Sequence, residues 1–200
     1  MRIKMLDELA RKKVFTVEEA VKISGIDKNV LRVILSRLEK RGWIERIEKS
    51  KYMVIPLGAR KGEYTLNEFV IASLLVNPSA IAYWSALNYH GLTEQIPSTV
   101  FVQTTSRKKK QGLEIFGVRY RIVRIKGEKF FGIERVWLDE FQVSVTDREK
   151  TIVDCLDKPR VCGGIIEVAK ALKHNEFDFE RLSEYAVKIG NSGVETWIFM

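Results

Sequence analysis

Lys28, Asn29, Arg32, Ser36 and Lys40 follow one another at the short spacings that gather side chains on one side of a helix. At about 100° per residue they share an arc, with Glu39 and Val33 near it. The opposite arc takes Val30, Leu31, Ile34, Leu35 and Leu38. The polar set suits the recognition of nucleic acid: Arg pairs with guanine, Asn with adenine, and Ser and Lys grip the backbone. A polar arc by itself also describes the wet face of any core helix. The residues around it must decide between the two.

Charge decides in favour of a partner. Residues 1–61 hold 16 Lys and Arg against 8 Asp and Glu, whereas residues 62–200 hold 18 of each. The chain's formal charge of +8 is therefore the charge of its first segment. A concentrated cationic face is what phosphate neutralisation and counterion release require.

The elements that must position these residues read as a winged helix-turn-helix. Met5, Leu6 and Leu9 share one face of a first helix, and Val14-Phe15 connect it onward. Thr16-Val17-Glu18-Glu19 forms a capping box for a second helix that ends at Ser24-Gly25. Asp27 caps a third helix over residues 28–41, which Gly42 ends. Strands are expected at residues 43–47 and 52–55, rich in aromatic and β-branched side chains. Between them Glu48-Lys49-Ser50-Lys51 forms a hairpin tip that would set Lys49 and Lys51 beside a DNA backbone. Winged helices also serve as protein-binding modules, so a pure interaction module is an alternative.

Pro56 to Gly62 carries proline, two glycines, Arg60 and Lys61, and reads as a linker. The expected organisation is a winged helix-turn-helix DNA-binding domain over 1–56, a linker over 57–63 and an α/β domain over 64–200. In the second domain helices are expected at 66–76, capped by Thr65, and at 79–90. Strands follow at 99–104, 118–126, 130–136 and 141–145, then helices at 148–156, 164–174 and 179–189. The fold class is α+β: a winged helix-turn-helix followed by a mixed α/β domain whose mostly antiparallel sheet is flanked by helices.

Other chemistry-bearing residues are given two readings. Asp147, Glu149, Lys150, Thr151 and Asp154 can form an acid–lysine site. More simply, Asp147 caps a helix, Glu149 suits its first turn, and Ile152, Val153 and Leu156 pack inward. Arg107-Lys108-Lys109-Lys110 can be a second contact for nucleic acid or an acidic partner, or a solvated loop tip. Arg119 and Arg121 share a face of the following strand, and Arg124 lies on the other. Tyr83, Trp84, Tyr89 and Phe101 are assigned to the core, and His90 to a helix end. Cys155 and Cys162, with only two histidines, do not make a zinc site. No metal, cofactor or catalytic residue is expected. There is no Ser-His-Asp set, phosphate-binding loop or dinucleotide loop. Gly163-Gly164 and Asp178 to Glu180 mimic nucleotidyltransferase spacing, but Asp178 reads as the cap of a helix. A nucleic-acid-processing enzyme with its site in the second domain is the other alternative. No apolar run is long enough to span a membrane and the N-terminus does not read as a signal peptide, so a cytoplasmic location is expected.

The segment from Tyr83 to Pro97 contains Ser85-Ala86-Leu87 and Gly91-Leu92-Thr93-Glu94-Gln95-Ile96-Pro97. The segment from Val145 to Pro159 contains Asp147-Arg148-Glu149-Lys150-Thr151-Ile152-Val153-Asp154, followed by Cys162-Gly163-Gly164 and Glu167. Both resemble motifs of AbiEi-type antitoxins of type IV toxin–antitoxin systems, as does the stretch from Leu38 to Arg46 that of winged-helix regulators. The resemblance runs over about residues 5–190. It implies that the winged helix occupies operator DNA at inverted repeats and represses the toxin operon. It also implies that the second domain counteracts a nucleotidyltransferase-like toxin, directly or only functionally. Family members often continue past the region of Gly190-Asn191 with a further helical segment, whereas this sequence ends at Trp197-Ile198-Phe199-Met200. Dimerisation is not legible in the sequence.

Overall fold

Local capping sets the helices of the first unit. Residues 8–12 are helical (α1), and the computed structural model describes residues 8–56, 58–59, 62 and 64–199. The rest of the expected first helix, with Met5 and Leu6, lies outside the described residues, as do Arg60 and Lys61. Thr16 and Glu19 form the expected capping box of α2 (Val17–Ser24), and Gly25 ends it at φ +66°. Asp27 accepts the amides of Asn29 and Val30 and so starts α3 (Lys28–Lys40).

The expected Val14-Phe15 connection is instead a strand. β1 (Val14–Thr16) joins β2 (Ile44–Glu48) and β3 (Lys51–Val54) in an antiparallel sheet of order β1-β3-β2. The reason is non-local: Val14 pairs with Met53 and Phe15 with Tyr52, whose rings stack at 5.8 Å. Leu9, Phe15, Val17, Ala20, Leu31, Leu35, Leu38, Ile44 and Tyr52 form the core under this sheet.

The chain divides into two units between Leu66 and Asn67. In the second, a six-stranded mixed sheet has the order β6-β7-β5-β4-β9-β8. Its strands are β4 (Ala80–Ile81), β5 (Thr99–Thr104), β6 (Gly112–Ile115), β7 (Val118–Arg124), β8 (Ile133–Leu138) and β9 (Phe141–Thr146). The β5–β7 and β4–β9 pairs are parallel; the other three are antiparallel. α4 (Glu68–Leu75) packs against β5 and β9. Its cap is Asn67, not the expected Thr65: the Asn67 side chain accepts the Phe69 amide, while the Thr65 hydroxyl donates to the Leu66 carbonyl. The expected helix over 79–90 is split. Ala80 and Ile81 pair with Gln103 and Val102, and only Tyr83–Tyr89 is helical (α5).

α6 (Arg148–Asp157), α7 (Ile165–His174), α8 (Phe179–Ile189) and α9 (Ser192–Phe199) complete the helical layer. α6 touches α5, α7, α8 and α9, so it is the central helix. Phe101 of β5 and Val123 of β7 belong to the same apolar cluster as these helices, which places the layer on that face of the sheet.

Candidate nucleic-acid interface

α3 buries Leu31, Leu35 and Leu38 and leaves Lys28, Asn29, Arg32, Ser36 and Lys40 exposed. The five expected contact residues therefore share the solvent side of one helix. Asn29, Ser36 and Lys40 lie near the centre of that face by helical geometry, and Arg32 on its flank. Val30 was expected inward but is 54% exposed, because at its angle it falls outside the arc of the three buried leucines. Val33, 53% exposed, and Arg37, also exposed, complete the face; Arg37 is the cation that sequence reasoning missed. A helical projection places it beside Val33 and Lys40.

Two ion pairs border this face. Lys28 Nζ reaches Glu18 of α2 at 2.7 Å, and the partner's ammonium holds the Glu18 carboxyl below its ordinary range. Arg46 of β2 reaches Glu39 at 3.2 Å and lies 5.4 Å over the Tyr52 ring. Both pairs are exposed, so they constrain the cations weakly and leave them open to exchange for phosphate.

The wing is tighter than the expected four-residue tip. Lys49 and Ser50 alone link β2 to β3, with Ser50 at φ +66° and its carbonyl accepting the Val17 amide at 2.9 Å. Lys49 is thus exposed at the turn, whereas Lys51 is the first residue of the central strand β3, paired with Thr16 and Glu48. The hairpin register carries an irregularity between Arg46 and Glu48, where β2 has one residue more than β3.

The acid–lysine cluster of α6 has a different environment. Glu149, Lys150, Thr151 and Asp154 are buried. Asp147 caps the helix by accepting the Lys150 amide at 2.7 Å, and Tyr185 donates to its other oxygen at 3.0 Å. Burial raises the Asp147 carboxyl. Glu149 accepts the Asp178 amide at 3.1 Å and so fastens α6 to the start of α8. The Lys150 ammonium pairs with Asp154 and lies 4.8 Å from the centre of the Phe131 ring. Burial pushes Asp154 up to about 6, against the pull of Lys150. Thr151 and Thr146 share a hydroxyl contact at 2.7 Å. A cleft of about 390 Å³ opens beside Phe131 and Tyr185, yet none of Asp147, Glu149, Lys150, Thr151 or Asp154 lines it. Asp147 and Glu149 tie α6 to α8, Thr151 ties it to β9, and the Lys150–Asp154 pair lies within the helix, so the cap reading holds.

The remaining candidates separate similarly. His90 caps the end of α5 and its Nε2 donates to the Thr146 carbonyl at 2.6 Å. Tyr83 and Phe101 are buried, but Tyr89, expected in the core, is 37% exposed. Among the described residues no three His, Cys, Asp or Glu side chains gather where a metal could be held. Arg107, Lys109 and Lys110 are exposed in the loop between β5 and β6, while Lys108 turns inward and donates to the Leu75 carbonyl at 2.7 Å.

Three helices, a three-stranded antiparallel sheet and a short basic hairpin define the first unit as a winged helix-turn-helix. Residues 4–55 match the family model described as transcriptional regulator, AbiEi antitoxin. That match lies within the N-terminal region. No curated protein matches the chain. Among solved structures it is similar to the RV2827C protein from Mycobacterium tuberculosis, at a TM-score of 0.56 and 15% identity. The match covers 98% of this chain and 79% of that one, and it shows a shared fold. Among the described residues no helix is long and apolar enough to cross a membrane.

Proposed function

We propose that the chain is a DNA-binding transcriptional regulator without catalytic activity that represses its own toxin–antitoxin operon and counteracts a nucleotidyltransferase-like toxin. The observation that carries the reading is the solvent face of α3. Asn29, Arg32, Ser36 and Lys40 stand exposed opposite Leu31, Leu35 and Leu38, in the segment that holds the chain's net charge. An exposed helix of this kind enters the major groove, where Arg and Asn read base edges and Ser and Lys hold phosphates. Lys28, Lys49 and Lys51 then grip the flanking backbone. Repression follows from occupancy of an operator with inverted repeats.

The family match supports the regulatory role. The buried bonding of the α6 cluster supports a structural second unit that presents surfaces to a partner. A gel shift with the duplex upstream of the chain's own gene tests the first claim: retarded DNA is expected, and unretarded DNA rejects it. Co-expression with a neighbouring nucleotidyltransferase gene tests the second: restored growth is expected, and persistent toxicity rejects it.

A further inference from the structure

The zero net charge of residues 62–200 conceals a separation. Residues 107–126 hold eight Lys and Arg against a single acid, Glu114, whereas the rest of residues 62–200 holds 10 cations against 17 acids. The positive stretch is one structural piece: the loop after β5 and the β6–β7 hairpin. Phe116 at φ +52° and Gly117 at φ +77° close that hairpin in the two-residue form that positive angles at both positions allow. Arg107, Lys109, Lys110, Arg119, Arg121, Arg124 and Lys126 are all exposed on it.

Guarding a sheet edge is a common use of exposed charge. It does not account for this one, because the edge strand β6 carries only Glu114 and the cations lie on β7 and in the loop. Internal pairing accounts for only a part of it: Lys126 meets Glu128 at 3.4 Å, and Glu114, the segment's only acid, lies opposite Arg119 in the strand register. Arg107, Lys109 and Lys110 in the loop and Arg119 and Arg121 on one face of β7 are a concentration of exposed cations that repel one another unless an anionic surface meets them.

We infer that the β6–β7 hairpin and its preceding loop form a second DNA-binding surface that holds the phosphate backbone of duplex DNA without reading sequence. The chemistry of the segment selects the partner. Binding of single strands uses exposed aromatic rings on which bases stack. The two rings of this segment, Phe116 and Tyr120, are half-buried and buried. What remains exposed is guanidinium and ammonium, the groups that contact phosphates. This surface is independent of base reading by α3 and stands or falls apart from it.

The test uses the full chain, a duplex lacking any operator, and affinity measured by fluorescence anisotropy across a salt series. The variant carries Arg107→Gln, Lys109→Gln, Lys110→Gln and Arg121→Gln, and keeps Lys108 because it holds the end of α4. Each phosphate contact contributes about 0.9 to the slope of log affinity against log salt, so the slope is expected to fall by about 3 to 4. Affinity is expected to drop at least about tenfold near physiological salt. A second variant, Lys109→Arg with Lys110→Arg, is expected to keep the parental slope, which separates lost charge from lost folding. The four substitutions are also made in a chain carrying Arg32→Ala and Lys40→Ala, where the same fall in slope is expected. An unchanged slope in either background, or a loss confined to RNA, overturns the inference.

Discussion

α3 and α6 are built from the same kinds of residue and do opposite things with them. Each starts at an aspartate cap, Asp27 or Asp147, and each mixes cations, acids, hydroxyls and aliphatic side chains. On α3 the polar groups face water, where hydrogen-bonding capacity is still available to a ligand. On α6 they face inward and are bonded within the fold: Glu149 to the start of α8, Thr151 to Thr146 of β9, and Lys150 to Asp154 of the same helix. The difference shows that polar density does not mark a site. A buried polar cluster is bonded mostly within the fold, here with only Asp154 Oδ2 left without a partner among its carboxylate oxygens, and enclosure keeps its members from a macromolecular partner.

The largest effect should come from breaking the α6 pair. Asp154→Ala leaves the Lys150 ammonium buried without its partner, and should cost about 3–5 kcal/mol in urea unfolding. Operator affinity per folded molecule should not change. The paired replacement Lys150→Met with Asp154→Leu should be close to neutral, because both desolvated charges are removed together. pH sharpens the same point. Folded Asp154 keeps its proton up to about pH 6, whereas an unfolded aspartate releases it near about 4. The folded state binds the extra proton in that window, so this residue's contribution to stability falls as pH rises from about 4 to 6, and is level above. Unfolding midpoints of the parent and the paired replacement, compared across that range, should diverge in favour of the replacement as pH rises.

The face of α3 should respond in the opposite sense. Arg32→Ala should weaken operator binding by about 1–3 kcal/mol and leave the unfolding curve in place. Unchanged operator affinity and an unchanged preference for operator over scrambled duplex would remove Arg32 from the base-reading set. Asp27→Ala, which removes the α3 cap, should cost about 1 kcal/mol of stability in the first unit, read by urea titration. The smallest effects belong to the wing: Lys49→Ala and Lys51→Ala should each lower the salt slope by about 1 without changing operator preference.

What was legible in the sequence was local. The capping box at Thr16 and Glu19, the Asp27 and Asp147 caps and the turn at Gly25 depend on neighbours a few residues away, and each formed as read. β1, β4 and the cap at Asn67 did not follow from local pattern. Val14-Phe15 and Ala80-Ile81 become strands only because Met53, Tyr52, Gln103 and Val102 come from elsewhere in the chain to pair with them. For the candidate site, helical periodicity found the exposed arc of α3 but misplaced Val30 and passed over Arg37. A buried Glu149 or Lys150 in a salt bridge between two layers is a third reading of the α6 cluster; Lys150 is buried, but its partner is Asp154 of the same helix, and the helices that enclose the pair are distant in sequence. The cations at 107–110 and on the strand after them were legible as a candidate second contact, but the β6–β7 hairpin that carries Arg119 and Arg121 was not, since β6 was not expected.

The most direct measurement is a salt titration of the full chain binding the duplex upstream of its own gene, from low to physiological salt. If α3 and the wing hold DNA, affinity must fall steeply with a linear log–log slope, and Arg32→Ala must reduce operator preference. Affinity that hardly changes over that range contradicts the account.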